Sequence, residues 1–296
     1  MSFLRSTLVG LGLSLGVALT SQAASDPSAI RDRFESIEQV EKALREKGLE
    51  TSDLIIGVDL TKSNTWTGEG CFDDKCLHAL IPNKKNPYQE VINVVGRTLN
   101  GFDDDNIIPM FGFGDTRTKS TKVFPMAYGQ NGQWCEGFKQ VEEVYTKFAG
   151  TINKKGGIRL SGGTSFVPII EKAIEIIEAN GGYHILVIIS DGSVDDYEAN
   201  HQALVKASNY PLSVIMVGVG NGDTDNFEKM EKLDDDMRGK TFDNFQFVNF
   251  TELWEATADM ETEERQAEFA VEALMEVPDQ YSAIKEKGIL DRHLPK

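Results

Sequence analysis

An α/β protein with a doubly wound, mostly parallel sheet and helices on both faces is the fold class this sequence predicts. Two observations carry it. Short, nearly continuous apolar runs such as Leu54-Ile55-Ile56-Gly57-Val58 and Ile185-Leu186-Val187-Ile188-Ile189 read as strands buried on both faces. These runs alternate with segments of about ten or more residues whose apolar positions recur at helical spacing, which implies right-handed crossovers between parallel strands. With 40% of residues hydrophobic and 26% charged, the chain has enough apolar material for a real core. No repeat, linker or boundary divides residues 29–277, so one domain over 29–284 with a tail at 285–296 is expected.

Ile30, Phe34, Ile37, Val40 and Leu44 lie on one helical face, and Gly48 follows where a helix stop belongs, giving a leading helix over 29–47. Residues 54–59 form the first strand. Asn86-Pro87 then starts a helix with a cap and a proline in its first turn, continued by Val91, Ile92, Val95 and Leu99. The alternation continues with a strand at 107–112, a short edge strand at 123–124, a helix over 136–148 and a short strand at 158–160. A helix at 167–179 precedes the most apolar strand, 184–190. A helix around 198–208, a strand at 212–219, a short helix near 227–233, a strand at 245–250 and a long helix from 252 to about 276 complete the pattern.

Residues 1–23 carry one charge, Arg5, then an apolar run over 8–19 and the small-x-small site Ser21-Gln22-Ala23. That order is the pattern of a secretory signal peptide, and the run is short for a membrane-spanning helix. A secreted or secretory-pathway location is therefore expected, with a cytoplasmic one as the alternative. The 47 acidic residues outnumber the 30 basic ones, for a net charge of −17. On that balance the chain has no basic surface to neutralise phosphates, so nucleic acids and anionic lipid head groups are poor partners.

In doubly wound sheets ligands bind at the carboxyl ends of the strands, and three such ends here carry oxygen ligands. The first strand runs into Asp59-Leu60-Thr61-Lys62-Ser63, the buried strand at 184–190 into Asp191-Gly192, and Ser161-Gly162-Gly163-Thr164-Ser165 precedes a helix. Each residue alone reads equally as a cap or turn: Asp59 and Asp191 at helix or turn starts, Thr164 as the cap of the following helix. Together, two carboxylates and several hydroxyls suit a small hard cation, Mg²⁺ or Mn²⁺, with Ca²⁺ as a further candidate.

This arrangement resembles the metal-ion-dependent adhesion site of von Willebrand factor A domains, with its D-x-S-x-S, Thr and Asp in separate loops. Asp59, Thr61 and Ser63 match the first part, Thr standing for the first Ser; Thr164 matches the second and Asp191 the third. The stretches 54–64, Asn86-Pro87-Tyr88, 108–115, 163–166 and 183–192 are similar to the copine-type A domain. Those at 43–50 and 242–252 are most similar to plant ubiquitin ligases that carry a copine-like domain before a RING finger. The resemblance covers about 30–284 and implies metal at these five residues and a protein partner whose acidic residue completes the ion's shell. It also implies two departures. Only residues 1–53 precede the first strand, leaving no room for the paired lipid-binding domains of copines. After Met275 the only Cys or His is His293, short of the Cys/His zinc ligands that a RING finger needs.

Cys71, Cys76 and Cys135 are read as free thiols, with a Cys71–Cys76 disulfide or a zinc site with His78 as alternatives. Asp103-Asp104-Asp105 and Asp234-Asp235-Asp236 read as solvated runs. Asn221-Gly222-Asp223-Thr224-Asp225 imitates an EF-hand loop, but Asn226 and Lys232 stand where its Gly and Glu belong. His184 is placed in the core and His201 on a helix surface. Asp115 is either a partner of the metal ligands or a turn residue, and Asn249-Phe250-Thr251 is a sequon at a covered strand end.

Overall fold

The computed structural model describes residues 52–294, apart from 100, 101, 104, 128–133, 193, 224 and 226, together with Lys42, Arg45, Glu46 and Gly48. The predicted signal at 1–23 and most of the predicted helix over 29–47 lie outside these. Lys42, Arg45 and Glu46 are helical, and Gly48 has φ +81° at the predicted stop.

A seven-stranded sheet forms the centre. β1 (Asp53–Asp59) lies between β2 (Ile107–Phe113) and β5 (His184–Ser190), parallel to both; β6 (Leu212–Gly218) and β7 (Phe245–Asn249) extend the parallel array beyond β5. β3 (Val123–Pro125) and β4 (Trp134–Glu136) pair antiparallel with the two halves of β2. Chain order reverses direction at the β1–β5 boundary, so the crevice of this doubly wound sheet opens where Asp59 leaves β1 and Asp191 follows β5. Val58 pairs with Ile189 across that boundary, which sets Asp59 beside Ser190 and one position short of Asp191.

The helices cover both faces. Leu54, Ile56 and Val58 of β1 join a core with α1 (Pro87–Leu99), α2 (Gly137–Ala149), α7 (Thr262–Leu274) and α8 (Val277–Glu286). Ile55 faces the other core, with α3 (Val167–Asn180), α4 (Tyr197–Ala207) and α5 (Glu228–Asp234). The predicted start of α1 carries a reciprocal cap. Asn86 Oδ1 accepts from Gln89 N at 2.9 Å and Gln89 Oε1 from Asn86 N at 3.0 Å.

Three element predictions change. The long helix from 252 to about 276 is two helices, α6 (Phe250–Ala256) and α7, and α8 follows. Glu261 is extended before α7, and the guanidinium of Arg265 folds back to donate to the Trp254 carbonyl and stacks 3.8 Å over that ring. This satisfies the open end of α6. Pro278 has no N–H to donate to Leu274, so α7 stops there. Residues 158–160 make no strand, only single bridges from Leu160 to Asp115 and from Ser161 to Thr61. β4 is an addition: its three residues are too few for a periodic signal and pair only because β2 lies beside them.

Candidate functional site

Asp59 is fully buried at the end of β1. Its Oδ1 accepts the backbone N–H of Thr61 at 2.7 Å and its Oδ2 the hydroxyl of Ser190. Asp191, also fully buried, receives four donors: Ser63 Oγ at 3.0 Å, Thr61 Oγ1 at 3.3 Å and Asn64 Nδ2 at 2.9 Å on Oδ1, and Thr67 Oγ1 at 2.6 Å on Oδ2. The hydroxyls of Thr61 and Ser63 lie 2.9 Å apart. Neither acid caps a helix, but Asp59 does cap the turn after β1, since its Oδ1 accepts the N–H two residues on; Asp191 accepts only side-chain donors from the loop after β1.

Thr164 sits in the third loop, buried, with its N–H donating to Asp195 Oδ2 at 3.0 Å and its carbonyl accepting from Asp195 N at 3.0 Å. It does not cap α3, whose cap position is Phe166. Its loop joins the first one directly, Ser161 O accepting from Lys62 N and Ser161 N donating to Leu60 O at 3.4 Å, and it also reaches the loop after β2 through Gly114 O at 3.2 Å. The structure thus brings Asp59, Thr61, Ser63 and Asp191 into one hydrogen-bonded group and sets Thr164 on the adjoining loop.

Burial governs the electrostatics. It pushes the Asp59 carboxyl up to about 6, against the hydrogen bonds from Ser190 and Thr61 that favour the charged form. Burial and the neighbouring Asp59 charge raise Asp191 well above the carboxylate range. Two acids that resist ionising together form a site that a cation would relieve.

Residues the sequence reading missed hold this group from behind. Asn64 Oδ1 accepts from the Tyr88 hydroxyl at 2.8 Å. His78 is buried and held neutral, its imidazole pushed down to about 3 by desolvation. Since a carbonyl only accepts, His78 Nε2–H donates to Asp59 O at 3.0 Å, leaving Nδ1 to accept from the Tyr145 hydroxyl at 2.9 Å. His78 stacks on Tyr88 with centroids 4.1 Å apart. Among these, the Asn86-Pro87-Tyr88 start of α1 was visible in the sequence as a helix start; the link from Tyr88 to Asn64 was not.

The discounted candidates resolve as follows. Cys71, Cys76 and Cys135 are free, and His78 serves the hydrogen-bond chain above. Asp115 is a turn residue: its carboxylate accepts from Thr118 N and Oγ1 and from Arg117. Asn249 caps α6 by accepting from Glu252 N at 3.2 Å, and Thr251 Oγ1 accepts from Gly220 N. Two expectations are corrected. His201 is buried rather than on the surface, 3.4 Å from Asp236, because α4 turns that side against α5. Asp103 and Asp105 are not merely solvated; they gather with Asp53 within 4.8 Å at the amino end of the sheet, opposite the site.

The sequence pattern that defines copines matches residues 76–293. The chain belongs to the copine family. Among curated relatives, this copine is 45% identical over 293 residues to the E3 ubiquitin-protein ligase RGLG4 of Arabidopsis thaliana, covering 94% of this chain and 70% of that protein. It is 45% identical over 276 residues to RGLG5 of the same plant, covering 89% of this chain and 60% of that one. Among solved structures, manganese-loaded TRAP protein of Plasmodium vivax is similar at 15% identity and a TM-score of 0.42, over 74% of each chain. The central sheet is mostly parallel with helices on both faces.

Proposed function

We propose that this copine domain is a metal-ion-dependent protein-binding module. Mg²⁺ or Mn²⁺, with Ca²⁺ as a further candidate, is held by Asp59, Thr61, Ser63, Thr164 and Asp191, and an acidic residue of a partner completes its shell. The observation that carries this reading is the pair of fully buried carboxyls at the ends of β1 and β5, both pushed up, with Thr61 joining them through its N–H on Asp59 and its hydroxyl on Asp191 and with Ser63 beside it. That donor set is all oxygen, as hard cations require. With few carboxylates in contact, the ion keeps its appetite for an external one. The test is thermal unfolding of wild type and Asp59→Ala with Mg²⁺, Mn²⁺, Ca²⁺ or chelator, since an ion that binds only the folded state raises Tm by mass action. Wild type gains stability and Asp59→Ala does not; identical curves in all conditions for a folded wild type would remove the metal.

A second reading comes from the relatives: a component of a ubiquitin ligase, with the zinc-bound RING function supplied in trans. The chain's 3 Cys and 4 His are too few for two tetrahedral zinc sites. Ubiquitin transfer by this chain alone, without an added RING protein, would contradict that division of labour. The compartment follows the signal-like start if it is cleaved and the cytoplasm if it is not. Among the described residues no helix is long and apolar enough to cross a membrane.

A further inference from the structure

We infer that a basic crescent beside the Asp59–Asp191 site docks an acidic peptide segment of the partner, an inference that rests on reading that site as a partner-carboxylate site. Against a net charge of −17, the segments 60–63, 116–122 and 150–163 contain no acid. Their exposed charges are all positive: Arg117, and the six cations Lys62, Lys119, Lys122, Lys154, Lys155 and Arg159. None of these six is ion-paired among the described residues. Arg117, the seventh cation of these segments, is engaged with Asp115 at 2.8 Å and lies over the Phe124 ring.

The three segments are one surface because their backbones are stitched together. Thr116 N donates to Arg159 O at 2.9 Å, Ser161 N to Gly114 O at 3.2 Å, Asn153 N to Ile158 O at 2.8 Å, and Lys62 N to Ser161 O. Lys62 is three residues from Asp59, so the crescent begins at the site itself. Asp195 closes the inner edge of the crescent, its Oδ2 accepting from Thr164 N at 3.0 Å, and the exposed acids Asp196 and Asp223 lie beyond it. The carboxyl end of the sheet is therefore polarised, and an acidic segment anchored at the centre is steered toward the β2–β3 side.

This corrects the composition argument that the chain has no basic surface: the average hides a local concentration. It also selects the partner. Charges farther than about 8 Å are largely screened at physiological salt, so a short acidic segment feels the crescent alone. A membrane or nucleic acid, presenting anions over a wide area, also meets the acidic remainder of the surface.

The test uses the full chain and a labelled synthetic peptide of alternating Glu and Ser, its Gln counterpart as control, at constant Mg²⁺. The Glu peptide binds, the Gln peptide does not, and raised salt weakens binding. Reversing Lys119, Lys154 and Lys155 together to Glu weakens binding about tenfold or more, because rim charges set encounter and salt dependence. Lys287→Glu, on the far end of the molecule, leaves it unchanged. Undiminished affinity of the triple variant, absence of Glu-peptide binding, or tighter binding to phosphatidylserine vesicles than to the peptide would each overturn the crescent. Failure of the metal reading is a separate result: chelator and Asp59→Ala would then leave wild-type peptide binding unchanged while the triple variant still lost it.

Discussion

The side-chain amide of Asn64 holds the carboxylate of Asp191 at 2.9 Å, joining the loop after β1 to the end of β5 across the reversal point of the sheet. Asn64 is itself fixed by the Tyr88 hydroxyl from α1, so one buried amide ties two strands and a helix to the candidate metal site. Asn64→Ala leaves Asp191 short of a donor and Tyr88 without an acceptor. It should cost about 1–3 kcal/mol, the penalty for unsatisfied buried polar groups, and Tyr88→Phe less. Urea unfolding of the two variants checks both the size and the order.

Asp59→Asn should separate stability from binding. Because burial raises the folded carboxyl to about 6, its stabilising contribution is present below the usual carboxylate range and is lost as pH rises through about 6. At neutral pH the charged group opposes folding, and the amide removes that charge. Metal-free Asp59→Asn is therefore expected to match or exceed wild type, by at most about 3 kcal/mol, while losing the Mg²⁺ response. Thermal unfolding with and without the ion reads both effects; a strongly destabilised metal-free variant contradicts the argument.

His184 gives the opposite pH slope. Burial lowers its folded value to about 4, so the neutral ring stabilises the fold above the ordinary histidine range and that contribution disappears as pH falls toward 4. Asp53, 3.5 Å from Nε2, is its acidic neighbour. Stability of wild type should decline between about pH 6.5 and 4 more steeply than that of His184→Gln, measured by chemical unfolding at a series of pH values.

Gly114 has φ +84°, and a Cβ there would lie 2.6 Å from Thr61 Cγ2 and 3.0 Å from Thr61 N. Gly114→Ala must both adopt a left-handed backbone and displace a candidate ligand. A loss of roughly 1–3 kcal/mol is expected, together with a blunted thermal response to Mg²⁺. Gly162→Ala, where open space surrounds the position, should show neither effect.

Expression in a secretion-competent host should give a chain beginning near Ala24, since Arg5, the apolar run and Ser21-Gln22-Ala23 stand in signal-peptide order. Removing residues 1–23 takes away one positive charge and changes the net charge from −17 to −18. N-terminal sequencing checks it, and an intact Met1 or Ser2 on cytosolic product refutes cleavage.

Strand and helix identity was largely legible in the sequence, because a strand buried on both faces must be apolar at every position and a covering helix must be apolar at every third or fourth. Local punctuation was legible too: Asn86 caps the helix it was expected to start, and the structure adds Gln89 as its reciprocal partner. The oxygen-bearing residues Asp59, Thr61, Ser63 and Asp191 stood out because strand ends on such a sheet converge. What the sequence by itself determined was thus the menu of elements, the one-sheet architecture and the loops that meet.

The tertiary structure alone decided which side chains behind those loops complete the group. Asn64 lies 127 positions from Asp191, and Thr67 lies 124 from it, so no local period relates them. The turn between α6 and α7 depends on Arg265 reaching Trp254, a contact invisible to a helical pattern that runs through both segments. The crescent is the same case in charge: its lysines are scattered over three stretches of an acidic chain and become one surface only when backbone hydrogen bonds draw those stretches together. Pattern is set by nearest neighbours along the chain, whereas burial, pKa and surface charge depend on neighbours in space, which only the folded topology supplies.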